Sequence, residues 1–113
     1  MRSRQEVKNI VSELYAGLAP LFPHGNMEAI LFGSYARGEA DGGSDIDVMI
    51  LVDSPRSEIS SKSRSVGDVA ADILLNHGVM VSPIVENREY FRNNAGVLPL
   101  YRNIVSEGVP LNV

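Results

Sequence analysis

The residues whose types and spacing could do chemistry are gathered in one stretch, LFGSYARGEADGGSDIDVMILVD, from Leu31 to Asp53. Two apolar runs flank a polar middle. Gly33-Ser34 closes the first run, and Asp45 and Asp47 open the second. After a strand, a glycine lets the backbone approach a ligand closely and adopt angles that other residues resist. Backbone amides converging at such a turn can hold phosphate oxygens, and Ser34 adds a hydroxyl to the same cradle. On a strand, residues two apart point to the same side, so the Asp45 and Asp47 carboxylates would project together. Two like charges that close are costly unless a cation sits between them. A hard divalent ion answers that cost, and magnesium commonly takes one or two carboxylates together with substrate phosphates.

Each half of this pattern is weak alone. Most Gly-Ser pairs after strands are only turns, and an isolated Asp-x-Asp in a glycine-rich loop is more often a solvated cap. Their succession, with a strong apolar strand behind the acids, points to a site for a phosphate and a metal. A phosphatase-like Asp-x-Asp is a competing reading, but there the acids follow their strand, whereas here the strand follows the acids. Arg37 has two readings, a planar donor reaching a phosphate or a nearby carboxylate, and an exposed loop arginine. Ser44 either caps the turn or touches a terminal phosphate. Tyr35 reads as packing, Asp41 and Asp53 as loop residues, and His24 and His77 as structural, since neither has metal-ligand spacing.

The elements that must position these residues follow from periodicity. Residues 4 to 19 place Val7, Ile10, Val11, Leu14, Tyr15 and Leu18 on one helical stripe. Ser3 stands as N-cap with Glu6 at capping-box spacing, and Pro20 and Pro23 end the helix. Met27 to Phe32 reads as a strand, followed by a turn or helical stub and a glycine-rich loop over residues 35 to 43. The continuous apolar run Ile46 to Val52 predicts a strand covered on both faces. A serine-rich stretch from Ser54 to about Ser65 is expected to be irregular at its beginning. From Val66 a helical period runs to His77-Gly78. Val79 to Val85 reads as a third strand, with Pro83 marking an edge or a bulge. Residues 87 to 94 form a short helix or turn, and LPLYRNIVSEG forms a last helix ending at Gly108. Its stripe of Leu98, Leu100, Ile104 and Val105 reads as core. The expected fold class is α/β (α+β), a small mixed β-sheet with flanking helices.

Composition narrows the possibilities further. The chain has 113 residues, 44% hydrophobic and 21% charged, enough for one domain with one core. A net charge of -4 argues against broad electrostatic binding to nucleic acid or an anionic membrane. The absence of cysteine excludes disulfide frameworks, zinc-thiolate sites and cysteine nucleophiles. No apolar stretch approaches the ~20 residues needed to span a bilayer. The start MRSRQEVKNI lacks the apolar core of a secretory signal, so the expected address is cytoplasmic.

The segment G-S-Y-A-R-G from Gly33 to Gly38, followed by S-D-I-D from Ser44 to Asp47, resembles the Gly-Ser … Asp-x-Asp motif of nucleotidyltransferases. In its wider form it is similar to the minimal nucleotidyltransferases (MNT-type) of the DNA polymerase beta superfamily, and LYRNIVSEG resembles their C-terminal helix. The resemblance covers most of the chain and implies a single nucleotidyltransferase-like domain over residues 1–113. It implies that Gly33, Ser34, Arg37 and Ser44 bind the nucleotide, with ATP as substrate. Asp45 and Asp47 would be catalytic and would ligate Mg2+, in a two-metal arrangement where both ions bind. The reaction implied is transfer of a nucleoside monophosphate, AMP from ATP, to a protein or other hydroxyl acceptor. Such domains pair with helical HEPN-type proteins as antitoxin and toxin, so a HEPN-type partner is implied too.

One departure stands out. The family carries a third carboxylate on the strand after the crossover helix, where this chain has Ser82 in VMVSPIVE. Glu86 shares that face by alternation but lies four residues on, about 13 Å of strand. A bulge at Pro83 would be needed to bring it closer. Two functions therefore compete: a working transferase, and an antitoxin-like binding module that keeps the fold without turnover.

Overall fold

The computed structural model describes residues 2–113. Helix α1 (Arg4–Leu18) begins at Ser3, whose hydroxyl accepts from the Glu6 amide while the Glu6 side chain accepts from the Ser3 amide, the expected capping box. A 3-10 turn, Ala19–Leu21, carries Pro20 and ends the helix. Strand β1 (Glu28–Phe32) runs directly into a short helix α2 (Gly33–Arg37), which Gly38 closes in a left-handed conformation. Strand β2 (Ile46–Val52) follows the glycine-rich loop. Helices α3 (Arg56–Ser61) and α4 (Ser63–His77) lead to β3 (Val81–Asn87). Helices α5 (Arg88–Asn94) and α6 (Pro99–Glu107) and a three-residue strand β4 (Val109–Leu111) complete the chain.

The sheet order is β3-β2-β1-β4, with β2 and β3 parallel and both other pairings antiparallel. Alternation along β2 divides the core between two faces. Ile46, Val48, Ile50 and Val52 meet the apolar stripes of α1 and α4. Met49 and Leu51 meet Phe91 of α5 and Ile104 of α6. Both faces of β2 are thus covered, as its unbroken apolar run requires. Each of its large side chains contributes about 1.5–3 kcal/mol by leaving water, which makes this strand a rigid base for whatever stands at its end.

Several expectations need correction. The serine-rich stretch is helical. Pro55 sits at the N-cap of α3, the Ser61 hydroxyl donates back to the Glu58 carbonyl at 2.7 Å, and Lys62 pairs with Glu58 at 3.0 Å. Local side-chain bonds and an i,i+4 pair thus offset the weak propensity of serine. The third strand starts and ends two residues later than expected, and it is an edge strand without a bulge. Its pairing with β2 continues unbroken from Ile46–Val81 to Val52–Asn87. Strand β4 has no sequence signal, because three residues containing Pro110 show no period. The stripe on α6 is not core either: Ile104 is buried, but Leu100 and Val105 are exposed, since the short helix buries only the residues facing Met49 and Leu51.

Candidate nucleotide and metal site

The site is built at the end of the sheet where β1 stops and β2 starts. Phe32 pairs with Asp47, so the turn leaving β1 lies beside the acids entering β2. Gly33 has φ +73°, and a Cβ built there would overlap the Asp47 carboxylate oxygen Oδ2. Only glycine satisfies both demands, the left-handed backbone and the space the carboxylate occupies. The Gly-Ser turn and the acidic pair are therefore one contiguous structure. The first amides of α2, like those of any helix start, have no partner within the helix.

Asp47 lies on the α5/α6 face of the sheet, and Asp45, two residues earlier, shares its parity. The Asp47 carboxyl is pushed above the usual carboxylate range, first by burial and then by the negative charge of Asp45, with Arg37 acting in the opposite sense. A half-buried acid that feels the charge of a second, exposed acid two residues away is a place where a cation would be welcome. Two oxygen donors suit a hard divalent ion. Among the described residues, no group of three or more His, Asp or Glu side chains could enclose an ion by itself. Asp45 and Asp47 are the residues that would hold such an ion.

Arg37, in the last turn of α2, stands on the same end of the sheet. Its Nε donates to Glu39 at 3.1 Å and its Nη1 donates to Glu107 at 3.2 Å. Arg37 is thus both exposed and paired with surface carboxylates. Ser44 caps the loop: its hydroxyl accepts from the Asp41 amide at 2.9 Å, while the Asp41 side chain accepts from the Gly43 amide at 2.9 Å. This loop turn delivers Asp45 to the mouth of β2. Tyr35 is buried in the core. His77 bonds Glu13 across α1 and α4 at 2.7 Å.

The position of the missing third acid is now defined. Ser82 is the β3 residue in register with Asp47, whereas Glu86 pairs with Leu51, four rows away. Glu86 is 5% exposed and fully engaged. It accepts from Arg56 at 3.2 and 3.4 Å, from the Asn87 amide at 2.8 Å and from the Tyr101 hydroxyl. Burial and this bond to Glu86 hold the Tyr101 phenol well above its ordinary value, so it remains a donor. Glu86 is a structural anchor of the opposite end. Glu107 escaped sequence reasoning altogether, because its approach to Arg37 across 70 residues depends on β4, which carries no local signal.

A mixed sheet with a glycine turn abutting paired strand acids defines a nucleotidyl-transfer fold. Residues 5–109 match the nucleotidyltransferase domain family, and the chain belongs to that family. It is similar to proteins of Methanocaldococcus jannaschii that carry the name "putative protein adenylyltransferase". One is 37% identical over 79 residues, covering 70% of this chain and 71% of the relative. Another is 32% identical over 80 residues, covering 71% and 79%. A third is 30% identical over 84 residues, covering 74% of this chain and 57% of the relative. The chain is a nucleotidyltransferase of the minimal type.

Proposed function

We propose that the chain transfers the adenylyl group of ATP to a hydroxyl of a protein acceptor. The observation that carries this reading is the direct apposition of Gly33 and the Asp47 carboxylate at one end of the sheet. The names of the relatives support adenylyl as the group and protein as the acceptor. Gly33 and Ser34 hold the triphosphate, and Arg37 adds a fixed positive charge beside it. Asp45 and Asp47 would hold Mg2+, which would supply neutralisation of the phosphate charge. The acceptor oxygen attacks the α-phosphorus, the bond to the β-phosphate oxygen breaks, pyrophosphate leaves, and the hydroxyl proton passes to solvent. Positioning and charge stabilisation supply the catalysis.

A second reading, a binding module with little turnover, is favoured by one observation: Ser82 stands in register with Asp47 where a general base would be expected. In that reading the chain neutralises a HEPN-type partner by contact, and the exposed Leu100 and Val105 of α6 offer apolar surface for it. Incubation with Mg2+, α-labelled ATP and candidate protein acceptors separates the two. Label transfer that disappears in Asp45→Ala and Asp47→Ala supports the transferase. Nucleotide binding without transfer supports the module, and label that survives both substitutions refutes the site.

A further inference from the structure

The C-terminal helix reaches both ends of the sheet. Tyr101, in its first turn, is bonded to Glu86 at the far end, and Glu107, six residues later, lies about 9 Å along the axis. The chain then turns into β4, where Val109 pairs with Leu31, one residue before the Phe32–Asp47 pair. Gly108 sits so close to the Ile104 carbonyl and the Ile30 side chain that a Cβ would overlap both. The end of α6 is thus clamped to the sheet near the row of the acidic pair, which fixes the Glu107 backbone within reach of Arg37.

From that position Glu107 takes one corner of the Arg37 guanidinium, and Glu39 takes another. The remaining nitrogen, Nη2, has no hydrogen-bond partner among the described residues. A guanidinium carries five donors in a fixed fork, so fixing two of its nitrogens sets the direction of the third. Without these two anchors the guanidinium would be free to turn towards the carboxylates at the same end of the sheet. A cation lying on Asp47 would compete with a metal for the same carboxylate.

We propose that Glu107 is a positioning residue of the nucleotide site, holding Arg37 off the Asp45–Asp47 pair and presenting its free donors to the triphosphate. This rests on the reading of the site given above, with ATP as the ligand. Glu107 itself touches neither substrate nor metal. Its effect passes through Arg37, which makes the two residues one unit, and the C-terminal strand is thereby tied to nucleotide affinity.

The test is a double-mutant cycle read by calorimetric titration of Mg-ATP into the full chain, with wild type, Glu107→Gln, Arg37→Ala and the double variant. Both carboxylates are partly exposed, so Glu107→Gln is expected to weaken binding about twofold to fivefold. Glu107→Asp should recover part of this loss. In the Arg37→Ala background the Glu107 substitution should add nothing. Equal loss from Glu107→Gln in both backgrounds, or no loss in the wild-type background, overturns the proposal and leaves the nucleotide site standing. A wild type that does not bind Mg-ATP removes the nucleotide site together with the proposal. Melting curves of Glu107→Gln should stay close to wild type; a large drop with no change in affinity would make Glu107 structural only.

Discussion

The two ends of the sheet handle their acids in opposite ways. At the Leu51 end, every buried or half-buried carboxylate has basic or polar partners. Glu86 is gripped by Arg56, Tyr101 and a backbone amide, with Arg56 also stacked on Tyr90 at 3.7 Å. Arg88 bridges Asp53 at 3.0 Å and Glu28 at 3.1 Å. At the Asp47 end, two acids stand two residues apart, one with a pKa raised first by burial and then by the charge of the other, behind a glycine in a left-handed turn. The first arrangement stabilises the fold. The second costs stability in the absence of a cation, because Arg37 offsets only part of the burial and charge penalty, and such a perturbed group is characteristic of functional sites.

The sharpest way to break this contrast is to remove charge at the Asp47 end. Asp45→Asn and Asp47→Asn should each lower adenylyl transfer about 100-fold or more, measured by label incorporation, since a metal ligand contributes several kcal/mol to the transition state. Glu86→Gln should do the reverse. It should cost about 2 kcal/mol in urea unfolding, because charge-assisted bonds to a buried acceptor are lost, while Mg-ATP affinity stays unchanged. Gly33→Ala acts at the Asp47 end on stability and binding together. It should destabilise the chain by about 1–2 kcal/mol through the left-handed backbone and also displace the Asp47 carboxylate, so nucleotide binding should fall with stability.

A smaller effect tests the electrostatics. The folded Asp47 pKa is raised, so the penalty for its charge is fully present above that value. The penalty fades as pH falls towards the ordinary carboxylate value, and this residue's contribution to stability therefore improves on acidification. Asp47→Asn should remove that dependence and raise the neutral-pH melting midpoint of the metal-free protein slightly. Magnesium loading requires the ionised pair, so in wild type it should fail at a higher pH than an exposed aspartate would allow. Binding titrations across the acid range check this.

Much of this contrast was legible in the chain. The Ser3–Glu6 box, the Ile46–Val52 run and the Gly33-Ser34 and Asp45/Asp47 spacing are local patterns, and local patterns carry their own signal. Ser82 was legible only through the family resemblance, as the residue on the third strand where an acid is implied; its place beside Asp47 came from the parallel β2–β3 register. The partners were not legible. Glu86 meeting Arg56, and Glu107 meeting Arg37, depend on register across the sheet and on a β4 too short to announce itself. The serine-rich α3 was hidden for another reason, since propensity understates a helix held by Lys62–Glu58 and the Ser61 back-bond.

The most direct test of the central contrast is the shift in melting midpoint on adding ATP with and without Mg2+. Wild type and Glu86→Gln are expected to be stabilised by Mg-ATP together and not by either component alone to the same degree, while Asp45→Asn and Asp47→Asn are expected to lose that shift. An equal shift in the aspartate variants, or its loss in Glu86→Gln with the aspartate variants unaffected, would contradict the assignment of the two ends.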